Sequence, residues 1–258
     1  MSKLKSIILP DSITQTGRHE IVSDKYKSVD TSKIIETLTQ RGFSLHSAKQ
    51  SNIRKQTNSG FQKHMVWMKY DVMKTKEGIP SIVIMNSHNR SSSLKLHVGY
   101  IRWACANQLV GGEDISSESI RHSIGWEEKT NIFLDSYLAK VEHMNRQHDR
   151  MRNQYMSDAM IRDLAYQAGK IRYNSIDILD SNELALVTRS EDIGNDLYTV
   201  FNRIQESLLK GSFKRRIPTL DDDGLLTYSP WQKASKITST DEILRINKAI
   251  RDLALKYS

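Results

Sequence analysis

The stretch FQKHMVWMKYDVMKTKEGIPSIVIMN (residues 61–86) indicates the fold. Its first half alternates with the two-residue period of a strand, placing Val66 and Met68 on one face and Trp67 and Lys69 on the other. The run KEGIP then marks a turn, and SIVIM is a second run of β-forming residues. The stretch therefore predicts a β-hairpin.

The flanking segments extend this hairpin into a small sheet. LKLHVGYI (94–101) alternates as a further strand, and FSLHSAK (43–49) alternates before the hairpin. Beyond about residue 125 the apolar spacing becomes helical. We expect an α+β fold in which a small antiparallel β-sheet packs with long helices, with a β-rich core over 1–125 and a helical part over 126–258 that form one continuous domain.

Helix signals recur along the chain. Residues 30–42 begin with Asp30, Thr31 or Ser32 as possible caps and end at Gly42. Helical spacing continues from 126 to 155, and a helix capped by Ser157 is predicted to end before Gly169. Two more helices are predicted, one from Ser190 to Gly211 and one from Ser239, which has a glutamate three residues on, as in a capping box.

The overall composition favours an acidic partner. The chain has 258 residues and a net charge of +8, and nucleic acid is the commonest partner of such a protein, although basic charge also serves solubility alone. One cysteine excludes an intramolecular disulfide and a multi-cysteine zinc site. No apolar run has the length of a signal peptide core or a membrane span, so we expect a reduced, cytoplasmic protein without a membrane association.

The signals for catalysis or metal binding are weak. Cys105 lies among small and apolar residues, which is typical of a buried structural cysteine. His143 and His148 are five residues apart and do not share a helix face, and the acidic run 221–223 lacks the spaced ligands of a calcium loop. Phosphate-binding glycine loops and a nucleophile elbow are absent from the sequence. We therefore expect a protein that is not an enzyme and needs no cofactor.

Two clusters combine cations with aromatic rings. In the β-rich half, cations alternate with Trp67, Tyr70, Tyr100 and Trp103, as in a groove that binds a single strand through its phosphates and bases. The alternative is that the rings are core residues and the cations a solvated face. The candidate contacts in this half are Lys63, Lys69, Arg90, Lys95, Arg102, Trp103 and Arg121.

The second cluster is the run KGSFKRRIP (210–218). It is predicted to be a loop, and it contains little apolar material that could bury its charges. Its candidate phosphate contacts are Lys210, Lys214, Arg215 and Arg216.

Three segments in order carry a family resemblance: VSDKYKSVDTSKIIETL (22–38), NSHNRSSSLKLHVGYIRWACANQLV (86–110) and IRHSIGWEEK (120–129). Together they resemble the phage/plasmid-like protein family, domain of unknown function 932. The residues that match its motif are Ser87, His88, Ser91, Ser92, Leu94, Lys95, Arg102, Cys105, Asn107, Arg121 and His122. Arg90 stands where this motif usually has glycine, and Gln108 where glycine often follows the asparagine.

The resemblance covers roughly residues 20–165. It implies a mobile genetic element as the source and supplies no mechanism. The element order is also similar to the core of Rad52-like phage single-strand annealing proteins, which implies a ring or filament that holds single-stranded DNA. We therefore expect a homo-oligomeric, nucleic-acid-binding protein of recombination or replication that prefers single-stranded DNA. The alternative is a protein-interaction module that inhibits a host defence factor.

Overall fold

A computed structural model describes residues 9–15, 17, 19–22, 26–52, 59–74, 78–102, 108–110, 118–173 and 179–258. The chain divides into two compact units, Met1–Glu142 and His143–Ser258. The first unit contains the predicted sheet, and the second contains helices joined by short strands, so the fold is α+β as predicted. Within the described residues, no helix has the length and apolar character needed to cross a membrane.

The sheet of the N-terminal unit is antiparallel, with neighbours in the order β1-β2-β3-β4-β5 and β6 also paired with β4. Its strands are β1 (Phe43–Gln50), β2 (His64–Tyr70), β3 (Gly78–Asn86), β4 (Leu94–Arg102), β5 (Gln108–Val110) and β6 (Glu118–Ile120). The predicted hairpin is confirmed: β2 and β3 pair with Val66 opposite Ile84. Because β3 begins at Gly78, part of the predicted KEGIP turn belongs to the strand.

Both faces of the central strands are buried. Every residue of β3 is buried, which explains its continuous apolar run, because a strand covered on both faces has no polar side. Trp67 is 1% exposed and Tyr100 is 3% exposed. The idea that these two rings stack on bases is therefore wrong, and the alternative that they belong to the core is correct. The Trp67 indole N–H donates to the Met65 sulfur at 3.3 Å.

The helices assigned to this unit or crossing its boundary are α1 (Asp11–Thr14), α2 (Thr31–Gln40), α3 (Trp126–Asp135) and α4 (Tyr137–Asn153). The prediction for α2 is confirmed: the Asp30 side chain accepts from the Lys33 amide at 3.2 Å. Gly42 follows with a φ of +91°, a conformation that favours glycine. The predicted continuous helix from 126 to 155 is two helices, interrupted at Ser136.

The helices of the C-terminal unit are α5 (Asp158–Arg172), α6 (Ser181–Leu184), α7 (Leu197–Lys210) and α8 (Thr240–Ala254). Side-chain caps explain where all four of them begin, and Asp180 accepts from the Asn182 amide before α6. Ser157 accepts from the Met160 amide before α5, and Ser239 accepts from the Glu242 amide before α8, both as predicted. Asp196 accepts from the Thr199 amide at 2.9 Å before α7.

Two predicted helix boundaries are wrong. Ser190 begins a single 3-10 turn, and α7 starts only at Leu197 because Asp196 is the residue that caps it. Ile193 begins the apolar helical spacing of this predicted helix in the sequence, yet it is 74% exposed. Gly169 does not end α5, because the helix continues to Arg172 and Gly169 is buried beside Leu179.

The prediction that residues 210–216 form a loop is only partly correct, because Lys210 belongs to a helix and residues 214–215 form a short strand. Lys210 is the last residue of α7, and Gly211 caps the helix with a φ of +70°. Four short strands follow: β7 (Lys214–Arg215), β8 (Pro218–Leu220), β9 (Leu226–Tyr228) and β10 (Gln232–Lys233). The pairs β7–β10 and β8–β9 are antiparallel, so a small β-structure interrupts the helical half.

Candidate functional site

Two features of the structure bear on function, and the first is a buried network around three histidines. His64 lies at the start of β2, His88 just after β3, and His122 just after β6. The ring centres of His64 and His88 are 5.6 Å apart, and those of His88 and His122 are 6.3 Å apart. The sheet therefore brings together the two histidines of the family motif, and it adds His64, which lies outside that motif.

Asn86 is the centre of this network. Its side-chain nitrogen donates to the Val29 carbonyl at 3.1 Å and to the Thr31 hydroxyl oxygen at 3.0 Å. A carbonyl can only accept, so the orientation of the Asn86 amide is determined. Its oxygen then accepts from the Ser87 amide at 2.8 Å and from His122 Nε2 at 2.7 Å.

These bonds also determine where the histidine protons lie. His122 Nε2 must carry a proton, so in the neutral ring Nδ1 accepts from the Tyr26 hydroxyl at 2.7 Å. The Thr31 hydroxyl, which already accepts from Asn86, donates to His64 Nε2 at 2.9 Å. His64 then carries its proton on Nδ1, which faces the Gln62 carbonyl at 3.4 Å.

Burial keeps all three rings neutral. Desolvation, together with the neighbouring histidines, lowers the pKa of His64 to about 3. Desolvation and His88 lower the pKa of His122 to about 4, and desolvation lowers the pKa of His88. Desolvation also raises the pKa of the Tyr26 hydroxyl to about 12, so this group remains a hydrogen-bond donor near neutral pH.

The network has the properties of a scaffold. It connects residues 26–31 to the ends of β2, β3 and β6 through hydrogen bonds, and the buried His88 Nε2 is the ring nitrogen in it that has no hydrogen-bond partner among the described residues. Among the described residues, no three histidine, cysteine or acidic side chains are arranged to hold a metal ion. A neutral, buried set of this kind specifies one arrangement of the segments it connects.

The cations predicted in the β-rich half lie at several positions along the sheet, and their contact with nucleic acid stays a prediction. Lys69 is opposite Ser81, whereas Lys95 is opposite Met85, and four residues along a strand correspond to about 13 Å. Lys69 also pairs with Asp71 at 3.2 Å. Lys63 is half-buried before β2, and Arg90 and Arg121 are exposed. Trp103 and Cys105 lie outside the described residues, as does the side chain of Arg102.

The cations of the second cluster have identifiable partners. Lys210 forms an ion pair with Glu206, and the Lys214 ammonium lies 3.5 Å from a carboxylate oxygen of Glu183. The Arg215 guanidinium lies over the Tyr173 ring at 5.4 Å. That these side chains contact phosphate remains a prediction.

Arg216 has a different environment, and it is the second feature. Its guanidinium lies 3.9 Å from the centre of the Tyr228 ring and 5.2 Å from that of Trp231. Trp231 is 48% exposed. In the same unit the Lys170 ammonium lies 4.4 Å over the ring of Tyr166, which is 36% exposed and lines the same cavity as Arg216 and Trp231. We call Tyr166, Lys170, Arg216, Tyr228 and Trp231 the Arg216 surface.

Sequence reasoning found Arg216 and missed the other four members. Tyr228 and Trp231 lie in a polar segment without strand or helix periodicity, and β7–β10 pairing is what brings that segment back to Arg216. A tryptophan in a polar segment, directly after Pro230, is the signal that could have identified it, because such a ring has few apolar neighbours to bury it.

A family model, Domain of unknown function (DUF932), matches residues 18–242. The chain belongs to this family. The DUF932 match extends well beyond the predicted 20–165 and includes most of the C-terminal unit.

Two proteins that are similar to this chain come from Escherichia coli (strain K12). UPF0380 protein YfjQ is 26% identical over 208 residues, which are 80% of this chain and 76% of the relative. UPF0380 protein YafZ is 25% identical over 240 residues, which are 88% of this chain and 87% of the relative. No solved structure matches.

The structure explains part of the DUF932 motif in physical terms. The Ser87 hydroxyl donates to the Ser92 carbonyl at 3.0 Å and accepts from the Ser92 amide at 2.8 Å, so two motif serines close a tight loop. Arg90 lies in this loop with a φ of +65°, where glycine has no steric cost and other residues do. This backbone conformation fits the glycine that the resemblance implies for that motif position.

Proposed function

We propose that the chain binds single-stranded nucleic acid, with single-stranded DNA preferred, through the Arg216 surface. The observation that carries the proposal is the exposed Trp231 ring, with Arg216 lying against both it and Tyr228. Flat rings offer stacking to any base, and adjacent cations offer charge to the phosphates. The surface thus combines the two requirements of sequence-tolerant single-strand binding.

The second cluster supplies cations to this surface. Lys210 and Lys214 face carboxylates, so a phosphate would compete with Glu206 and Glu183 for them. The Arg216 guanidinium lies against two rings on which a base could stack, so the phosphate of that base would lie close to a cation.

Binding to labelled oligothymidine of about 15 nucleotides, measured by fluorescence anisotropy, tests the proposal. A series from about 50 to about 200 mM salt should give a linear fall of log affinity with log salt, and each phosphate contact contributes a slope of about 0.7. Duplex DNA of the same length and oligouridine are the comparison ligands. Absence of salt-dependent binding to any of them would refute the proposal.

Two variants locate the binding surface. Trp231→Ala should weaken binding by about 1–3 kcal/mol, the usual contribution of one base stacked on an aromatic ring. Tyr155→Ala is the matched control, because Tyr155 is a 70% exposed ring of the same unit and lies outside the Arg216 surface. Equal affinities for the two variants would place binding elsewhere.

The annealing function predicted from the sequence also requires that several copies of the chain assemble into an oligomer. A ring or filament would align many copies of the Arg216 surface along one strand. Light scattering at micromolar concentration, with and without oligothymidine, measures the mass of the complex. A monomer under both conditions would exclude annealing by an assembly while leaving single-strand binding intact.

A second candidate function is binding to a host protein, and the β8–β9 hairpin favours it. Leu220, Leu225 and Leu226 are 71%, 66% and 60% exposed, beside the acidic turn 221–223. Such a surface fits a partner with an apolar patch bordered by lysine or arginine. If the double variant Leu225→Ser, Leu226→Ser abolishes the effect of the protein in its host cell while its binding to oligothymidine is unchanged, this candidate replaces the first.

A further inference from the structure

A shallow cavity of about 360 Å³, largely open to solvent, lies beside Arg216 in the C-terminal unit. Its walls include the rings of Tyr166 and Trp231. They also include three successive polar residues: Asp180, which caps α6, and Ser181 and Asn182, the first two residues of that helix. The cavity thus has aromatic and cationic groups together with hydrogen-bonding groups. These groups match a flat ligand that has polar edges and the size of one nucleotide.

The aromatic and cationic walls favour a base and its phosphate. Arg216 is held against Tyr228 and Trp231, and the Tyr166 ring carries Lys170 at 4.4 Å. A base that enters between these groups can stack on a ring, while its phosphate remains near a cation. These contacts do not distinguish one base from another.

Asp180 supplies a group that can distinguish bases. One of its carboxylate oxygens accepts from the Asn182 amide at 3.1 Å, which holds the side chain in place at the cavity wall. An ionised carboxylate can only accept hydrogen bonds. Guanine presents two adjacent donors, N1–H and the 2-amino group, whereas thymine and uracil present one donor between two carbonyl oxygens, which a carboxylate repels.

We propose that this cavity binds the base of one nucleotide within the bound strand, and that Asp180 makes it prefer guanine over thymine or uracil. The inference rests on the proposed single-strand binding, and it adds a base-selective position to a surface that is otherwise tolerant of sequence. Ser181 and Asn182 provide further polar groups at the edge of the base.

The experiment compares oligothymidine of about 15 nucleotides with the same strand carrying one central guanine, measured by anisotropy at fixed salt. The guanine strand should bind about 10-fold more tightly, within the range of a good bidentate contact. Asp180→Asn should reduce that ratio to less than about 2-fold without lowering oligothymidine affinity, because the variant removes the carboxylate that repels the thymine carbonyls, and asparagine caps a helix as well as aspartate does.

Each outcome has a distinct meaning. If no strand binds with salt dependence, single-strand binding itself is wrong and the inference falls with it. If both strands bind equally, or if Asp180→Asn keeps the guanine preference, the base pocket is wrong and single-strand binding stands. If Asp180→Asn fails to fold, a competition measurement on the unaltered chain still tests the proposal. Guanosine monophosphate should compete with oligothymidine at a concentration about 10-fold below that of uridine monophosphate. Equal competition by the two nucleotides would overturn the proposal.

Discussion

Acid should destabilise the N-terminal unit, and His64 should account for a defined share of the loss. The pKa of His64 is about 3 in the folded chain, against 6.5 for an ordinary histidine. The unfolded chain therefore binds more protons than the folded one between these values. It follows that the stabilising contribution of the neutral ring is complete above pH 6.5 and is lost as the pH falls toward 3.

The size of the effect follows from the fully buried ring. One proton difference changes the free energy of unfolding by about 1.4 kcal/mol per pH unit. Between about pH 7.5 and about pH 4.5, His64 alone should lower the stability by roughly 2.7 kcal/mol. His122 and His88 act in the same direction, because the pKa of each is also lowered, and His122 contributes less than a fully buried group since its ring is partly exposed.

The assay is urea unfolding followed by tryptophan fluorescence in a Trp231→Phe background, so that all remaining tryptophans belong to the N-terminal unit. His64→Gln keeps an acceptor for the Thr31 hydroxyl and removes the titration. The control is Ile84→Val in the neighbouring strand, which should cost about 0.5–1.5 kcal/mol at every pH. If the stability of His64→Gln falls with acid as steeply as that of the control, the account of the buried neutral histidine is wrong.

Three further changes test the scaffold. Arg90→Gly should raise the free energy of unfolding by about 1 kcal/mol, because glycine adopts a φ of +65° without strain, and a loss of stability in urea unfolding would contradict this. Asn86→Ala should lower the free energy of unfolding by about 3 kcal/mol or more, because several buried partners lose their hydrogen bonds. A loss below about 1 kcal/mol would argue against the central role of Asn86. Gly211→Ala should lower the melting temperature, since an added Cβ meets the carbonyls of Ala234 and Ser235 at a φ of +70°, and an unchanged melting curve would refute that packing.

Local signals in the sequence were sufficient for the hairpin and for several helix ends. The alternation in β2 and the cap at Asp30 act over a few residues, so their physical causes are present in the local sequence. The start of α7 was mispredicted because Ser190 and Asp196 both resemble caps, and only packing decides which one is used. Ile193 continues the helical period in sequence and yet lies exposed.

The sequence also marked His88 and His122 through the family motif, and Arg216 through its charge. It could not place His64 beside them, because that contact depends on the register of β2 against β3. Likewise, Trp231 reaches Arg216 only when β10 pairs with β7.

By itself, the sequence determined the local direction of side chains along each strand and the class of the fold. It could not determine which rings water can reach. Periodicity shows that Trp67 and Lys69 share a face, but whether another element covers that face is a matter of tertiary packing. The structure buries Trp67 and leaves Trp231 exposed beside an arginine. Exposure depends on contacts between residues that are distant in the sequence. Only the tertiary structure could therefore identify the candidate surface, which lies in the C-terminal unit.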